Sequence, residues 1–119
     1  MKKLVLTGAA GRLGSYLREP LSQMCDSLVT TDWIEDIGKL YPGETYVKAD
    51  LGDLEAMEAV LDGAEMVIHF GAIGDEAAWD KILHSNIIGA YNVWEAAARK
   101  ELRRVVYASS IHAVGMYPK

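Results

Sequence analysis

KKLVLTGAAGRLGSYL, residues 2–17 of the chain, combines a short apolar run with three evenly spaced glycines. The apolar run predicts a buried strand at residues 3–7, and the apolar period that follows predicts a helix over about residues 11–24. Gly8, Gly11 and Gly14 lie between them, in a segment that we call the glycine turn. Such glycines form either a plain strand-to-helix connection or a cradle whose backbone N–H groups hold a phosphate.

Further apolar runs predict four more strands, at residues 27–32, 45–51, 65–70 and 103–110. Helical patterns separate them: one helix has Asp53 as its N-cap and closes at Gly63, and a long helix covers about residues 78–100. Parallel strands need such long right-handed crossovers. We therefore expect an α/β fold, a doubly wound parallel sheet of the Rossmann type in three layers, with strand order 3-2-1-4-5 and one domain over residues 1–119.

Composition narrows the class of protein. The chain has a formal net charge of −5, and its dispersed charges predict neither a nucleic-acid partner nor a membrane surface as partner. Trp79, Tyr91 and Trp94 follow helical spacing and are predicted to pack rather than to stack on bases. Cys25 is the single cysteine, so neither a disulfide nor a metal site is predicted. Without a signal-peptide pattern or a long apolar run, cytoplasm is the expected compartment.

An acidic residue favours the ligand-binding interpretation of the glycine turn. Asp32 ends the second predicted strand, where a carboxylate can accept hydrogen bonds from the adenine-ribose hydroxyls of a dinucleotide. The same carboxylate repels the 2′-phosphate of NADP, whereas Arg12 in the turn could attract it. We weight Asp32 above Arg12 because it occupies the position expected beside the 2′-oxygen, and we predict NAD in preference to NADP.

Six stretches that cover essentially the whole chain carry a common pattern. They are TGAAGRLG at residues 7–14, TD at 31–32, ADL at 49–51, VIHFGA at 67–72, NIIGAYNVWEAA at 86–97 and VVYASS at 105–110. In this order they resemble the extended short-chain dehydrogenase/reductase superfamily, of the NAD-dependent epimerase/dehydratase type. SSIHAVGMYP, at 109–118, is most similar to the uronate dehydrogenases, which oxidise hexuronic acids at C1, although Ile111 stands where those enzymes tend to carry asparagine.

The resemblance implies a role for each matching position. The glycine turn would contact the pyrophosphate, Asp32 the adenine ribose, Asp50 with Leu51 the adenine, and Asn86 the nicotinamide end. Ser110 matches the catalytic serine, and the substrate would meet Ile73, Ser110 and His112. The full set of cofactor-binding residues implied in this way is Gly8, Gly11, Arg12, Leu13, Gly14, Asp32, Asp50, Leu51, Phe70, Gly71, Ala72 and Asn86.

Several of these residues also have a purely structural interpretation. Asp50 could form a turn before the helix at Asp53, and Asn86 could make a structural hydrogen bond on the apolar side of its helix. His112 is a donor to an anionic substrate, a proton shuttle or a loop residue. His69, at the end of an apolar run, is predicted to be a core histidine and not part of the site.

The Tyr-x-x-x-Lys pair that supplies the base in this superfamily has no counterpart among these residues. We therefore expect an N-terminal, cofactor-binding portion of a longer NAD-dependent oxidoreductase, inactive as it stands, whose parent acts on a sugar or sugar acid such as a uronate. The alternatives are a non-catalytic NAD-binding module and a fragment of a nucleotide-sugar epimerase or dehydratase. A homo-oligomer is compatible with the resemblance.

Overall fold

The computed structural model describes residues 2–70 and 88–107. Within these ranges, five parallel strands form a sheet in the order β3-β2-β1-β4-β5. The predicted α/β class and strand order are thereby confirmed. The strands are β1 (Lys3–Thr7), β2 (Ser27–Asp32), β3 (Glu44–Lys48), β4 (Met66–His69) and β5 (Arg104–Tyr107), and the helices are α1 (Arg12–Met24), α2 (Leu54–Leu61) and α3 (Gly89–Arg99).

Apolar side chains cover both faces of the sheet, because successive residues of a strand point to opposite sides. In β1, Leu4 and Leu6 join Leu21 of α1 in one buried cluster. Val5, between them, faces the other cluster, which includes Met57 of α2 and Val93 of α3. The sheet therefore lies between α1 on one face and the packed pair α2 and α3 on the other, as a three-layer fold requires.

Several elements differ in their bounds from the prediction; α2, for example, ends at Leu61 with Asp62, not Gly63, as its C-cap. β3 stops at Lys48, not at Leu51, because its partner β2 ends at Asp32, the residue opposite Lys48. The Ala49 N–H still donates to the Asp32 carbonyl over 3.0 Å, and the chain then turns. β4 is four residues long, Met66–His69, and α3 ends at Arg99. Residues 78–87 and 108–110 of the predicted long helix and last strand lie outside the described residues.

The outer side of α3 does not match the expected packing. Tyr91 and Trp94 are 62% and 50% exposed, so the prediction that they pack in the interior is wrong for these two residues. The buried side of the helix carries smaller residues instead, among them Val93 and Ala96. Small side chains let α3 approach α2 and the sheet closely. Trp79 lies outside the described residues.

A buried ion pair joins α1 to the start of β3. Arg18 donates to both carboxylate oxygens of Glu44, at 2.7 Å and 3.0 Å, and both residues are less than a tenth exposed. The Thr30 hydroxyl and the Tyr41 N–H also donate to this carboxylate. Burial raises the pKa of Glu44, but the hydrogen bonds, led by that from Arg18, outweigh it and leave the pKa below its ordinary value. The pair therefore stays ionised at neutral pH.

Candidate functional site

The carboxyl ends of parallel strands meet at one edge of the sheet, where doubly wound folds hold their ligands. The glycine turn leaves β1 at this edge. Gly8 has a φ of 69°, which favours glycine. A Cβ atom on Gly14 would lie 2.1 Å from the Gly8 carbonyl oxygen, so a side chain there would collide with the backbone. The turn is therefore folded tightly against the first residues of α1.

The start of α1 carries no capping side chain of its own. Its N-cap is Gly11, and its first turn contains no acidic residue. At α2, by contrast, Asp53 accepts a hydrogen bond from the Ala56 N–H over 3.2 Å, with Glu55 in the first turn. The first N–H groups of any helix lack partners within the helix. Those of α1 are thus suited to an anion, which the helix dipole also favours.

Asp32 lies at the end of β2, directly beside the glycine turn. Its Oδ2 accepts a hydrogen bond from the Ala10 N–H over 2.9 Å, and its Oδ1 accepts one from the Trp33 N–H over 2.8 Å. Each carboxylate oxygen has two lone pairs, so each can accept a further bond. The two bonds fix the orientation of the carboxylate, and its oxygens can still accept hydrogen bonds from the hydroxyl groups of a ligand.

Tyr46 supports the same strand end and was missed in the sequence analysis. Its hydroxyl donates to the carbonyl oxygens of Asp32, over 3.1 Å, and Ile34, over 2.5 Å. Burial, followed by the negative charge of Asp32, raises the pKa of Tyr46, so the hydroxyl keeps its proton and remains a donor. In the sequence, Tyr46 is only an aromatic residue within a predicted strand. Such a residue usually indicates apolar packing and does not point to the hydrogen bonds of its hydroxyl.

The loop at residues 49–53 follows β3 at the same edge of the sheet. Asp50 accepts the Gly52 N–H on Oδ1 over 2.8 Å, and its carbonyl accepts the Asp53 N–H over 2.9 Å. In these bonds Asp50 forms the turn that its structural interpretation predicts. The Leu51 carbonyl accepts the side-chain amide of Asn92, in α3, over 2.8 Å. Asn92 is the second residue of this site that sequence reasoning missed.

A buried pair of side chains lies beneath the site, between the ends of β1 and β4. The Thr7 hydroxyl and Nδ1 of His69 are 2.6 Å apart, and the Phe70 N–H donates to the same hydroxyl over 3.0 Å. His69 is 2% exposed, and burial lowers its pKa to about 4. The prediction of a core histidine is confirmed. The bond from Phe70 fixes the chain where it leaves β4.

Comparison with known proteins identifies the chain at the level of the family. Residues 4–119 match the NAD dependent epimerase/dehydratase family. The chain belongs to this family. It is 41% identical, over its whole length, to a uronate dehydrogenase of Agrobacterium fabrum and 38% identical, over 97% of its length, to that of Pseudomonas putida. It spans 44% and 43% of those relatives.

The similarity to the epimerase/dehydratase family also holds at the level of three-dimensional structure. A tyrosine-to-alanine variant of uronate dehydrogenase from Agrobacterium tumefaciens, complexed with NAD, superimposes with a TM-score of 0.86. It is 41% identical and covers 92% of this chain, while this chain covers 41% of it. The Rossmann-like fold of this chain, a parallel sheet with strand order 3-2-1-4-5, therefore matches the fold of that solved structure over the aligned residues.

The described part of this family member contains the glycine turn, Asp32, Asp50, Leu51 and Phe70 at one edge of the sheet. The side chains of Arg12 and Leu13, which open α1, are not described. No helix in residues 2–70 and 88–107 has the length and apolar character to cross a bilayer, and no three metal-ligating side chains cluster there. The remaining predicted site residues lie outside the described ranges: Gly71, Ala72, Ile73, Asn86, Ser110 and His112.

Proposed function

We propose that this chain is the cofactor-binding part of an NAD-dependent dehydrogenase that oxidises a sugar acid of the uronate type. The observation that carries the proposal is the contact between Asp32 and the glycine turn. A carboxylate held 2.9 Å from a turn amide stands next to the helix end suited to phosphate. An adenosine diphosphate group presents ribose hydroxyls and phosphates within one ligand and can therefore meet both features.

The glycine turn would hold the pyrophosphate. Gly8 and Gly14 let the backbone fold tightly, and the amides of Arg12 and Leu13 lie in the first turn of a helix without a capping side chain. Backbone N–H groups and the positive end of the helix dipole stabilise the phosphate charge. Gly11, as the N-cap, places no side chain between the ligand and the helix.

Asp32 supports NAD over NADP in this proposal. Its carboxylate can accept hydrogen bonds from both ribose hydroxyls of adenosine. A 2′-phosphate in the same place would bring two anions together. Their repulsion weakens binding, and it weakens binding more where water is excluded from the site. Arg12 in the turn is the opposing consideration, because an arginine attracts a phosphate, but Asp32 occupies the position expected beside the 2′-oxygen, so we assign the preference to NAD.

The other family positions complete the proposed cofactor site. Asp50 and Leu51 would frame the adenine, Phe70, Gly71 and Ala72 would pass beneath the cofactor, and Asn86 would approach the nicotinamide. When bound, the nicotinamide ring would accept a hydride from the substrate carbon that is being oxidised. Ser110 would orient the substrate oxygen, with Ile73 and His112 in contact with the substrate. The uronate class rests on the two relatives and the solved structure described above.

Titration calorimetry of the chain with NAD and with NADP tests the cofactor part. We expect NAD to bind and NADP to bind at least about tenfold more weakly, the ratio that one unfavourable charge contact produces. Binding of neither nucleotide would refute the proposal. The substrate class is tested on the full-length natural enzyme by reduction of NAD with a hexuronic acid, with the corresponding neutral hexose as control.

A further inference from the structure

Asn92 is a polar side chain in an apolar environment. It is 5% exposed and lies on the buried side of α3, together with Val93 and Ala96. A buried amide costs free energy unless it is hydrogen-bonded. The partner in this structure is the Leu51 carbonyl, 2.8 Å from Nδ2. The side-chain amide of Asn92 therefore connects α3 to the loop at residues 49–53.

The Leu51 carbonyl is one of the points at which that loop is tied to the rest of the fold, beside the Ala49 N–H, which donates to the Asp32 carbonyl. The bonds from Gly52 and Asp53 to Asp50 close the turn upon itself, but they do not determine how the turn is oriented against the sheet. The bond from Asn92 crosses from another element and fixes the plane of the peptide that Leu51 and Gly52 share. Leu51 itself is partly buried against the core cluster.

We propose that Asn92 is a positioning residue for the adenine subsite, acting through the Leu51 carbonyl. This inference rests on the proposed function, in which Asp50 and Leu51 frame the adenine. Without the bond from Nδ2, the turn keeps its internal hydrogen bonds and the bond from Ala49 to Asp32, but the peptide between Leu51 and Gly52 loses its connection to α3. The adenine then meets a loop that must be ordered on binding, which lowers the affinity.

The test compares Asn92→Leu, which keeps the branching at Cγ and removes the donor, with Val93→Ala, which loosens the core at the neighbouring position of the same helix. Asn92→Ser, too short to reach Leu51, serves if Asn92→Leu does not fold. NAD and AMP are titrated into each variant, since AMP carries the adenosine without the nicotinamide. We expect the Asn92 variants to lose about tenfold in affinity for both ligands, the effect of one lost hydrogen bond.

The Val93→Ala variant should lower the melting temperature and leave both affinities within about twofold of the wild type. Equal losses in Val93→Ala and the Asn92 variants would overturn the inference, because general loosening would then explain them. If the wild type binds NAD normally and the Asn92 variants have unchanged affinities, the inference about Asn92 is overturned while the proposed function stands. Failure of the wild type to bind NAD would instead refute the proposed function beneath it.

Discussion

The backbone N–H of Ala10 donates to Oδ2 of Asp32 over 2.9 Å and so joins the turn after β1 to the end of β2. A backbone–backbone bond, from the Ala9 N–H to the Thr31 carbonyl over 3.3 Å, joins the same two segments. The two neighbouring strand ends are therefore connected by two hydrogen bonds. A carboxylate that was expected only to meet a ligand also organises the surface on which the ligand would lie.

Replacement of Asp32 by alanine should weaken NAD binding more than NADP binding. The change removes an acceptor for the ribose hydroxyls, worth about tenfold or more in affinity, and it removes the charge that opposes a 2′-phosphate. Calorimetric titration of both nucleotides measures the ratio of affinities. Equal losses for NAD and NADP would contradict the assignment of Asp32 to the 2′-position.

Asp36→Ala is the matched control for this experiment. It removes the same charge from the segment that follows β2, where Asp36 accepts only the Gly38 N–H among the bonds described. Its effect on both nucleotides should be small, since the residue is exposed and none of the bonds described joins it to the glycine turn. A large effect on NAD would show that net charge, and not the position of Asp32, governs affinity.

Gly14→Ala should destabilise the fold strongly. The added Cβ would lie 2.1 Å from the Gly8 carbonyl oxygen, and a backbone atom cannot move aside cheaply. We expect a loss of about 3 kcal/mol or more in the free energy of unfolding, as for severe overpacking. Gly11→Ala is the control, because its Cβ would lie 3.3 Å from the same oxygen. That variant should lose about 1 kcal/mol or less, the scale of an N-cap change. Urea denaturation measures both, and similar values would disprove the steric explanation.

The stability of the protein should fall between neutral pH and about pH 4 because of His69. Burial lowers the pKa of His69 from 6.5 to about 4 in the folded state. The unfolded chain binds a proton in this range that the folded chain excludes, so the free energy of unfolding falls as the pH falls and levels off below pH 4 for this group. The loss is on the order of 3 kcal/mol.

His69→Gln tests that assignment. The variant cannot titrate, so its stability should depend less on pH in the same range, whatever its stability at neutral pH. Urea denaturation at a series of pH values gives the slope for each protein. Parallel slopes in the wild type and the variant would show that another group is responsible.

The buried pair of Arg18 and Glu44 predicts a large cost for removing one partner. Arg18→Met leaves the Glu44 charge buried with fewer donors, and we expect a loss of about 3 kcal/mol or more in the free energy of unfolding. Arg99→Met removes the same group from a half-exposed pair with Glu58 and should change stability little. A small effect of Arg18→Met in thermal or urea denaturation would show that water replaces the guanidinium.

The sheet could be predicted from the sequence because its signals are local. The run at residues 3–7 became β1 at those residues, the long connections indicated parallel strands, and the strand order followed from the doubly wound class. β3 ended earlier than predicted because its end depends on where β2 stops, which a window on the sequence does not contain. The glycine turn and Asp32 were likewise recognisable from spacing alone.

The residues that were missed act across the fold. Arg18 has the pattern of an exposed helical residue, yet its partner Glu44 lies on another element. Asn92 stands among apolar neighbours, which is a signal, but its acceptor is a backbone carbonyl at Leu51 that no side-chain pattern shows. Tyr91 and Trp94 were misjudged because helical spacing does not distinguish one side of a helix from the other.

The position of Glu44 also protects the sheet against mispairing. β3 stands at one end of the strand order and begins with this buried carboxylate, opposite Leu28 of β2. A slip of β3 by a single residue would exchange Glu44 for Thr45, expose the carboxylate and strand the Arg18 charge in the interior. A strand with a free side is the usual starting point for association between chains. One internal ion pair thus makes the alternative alignments of that strand costly.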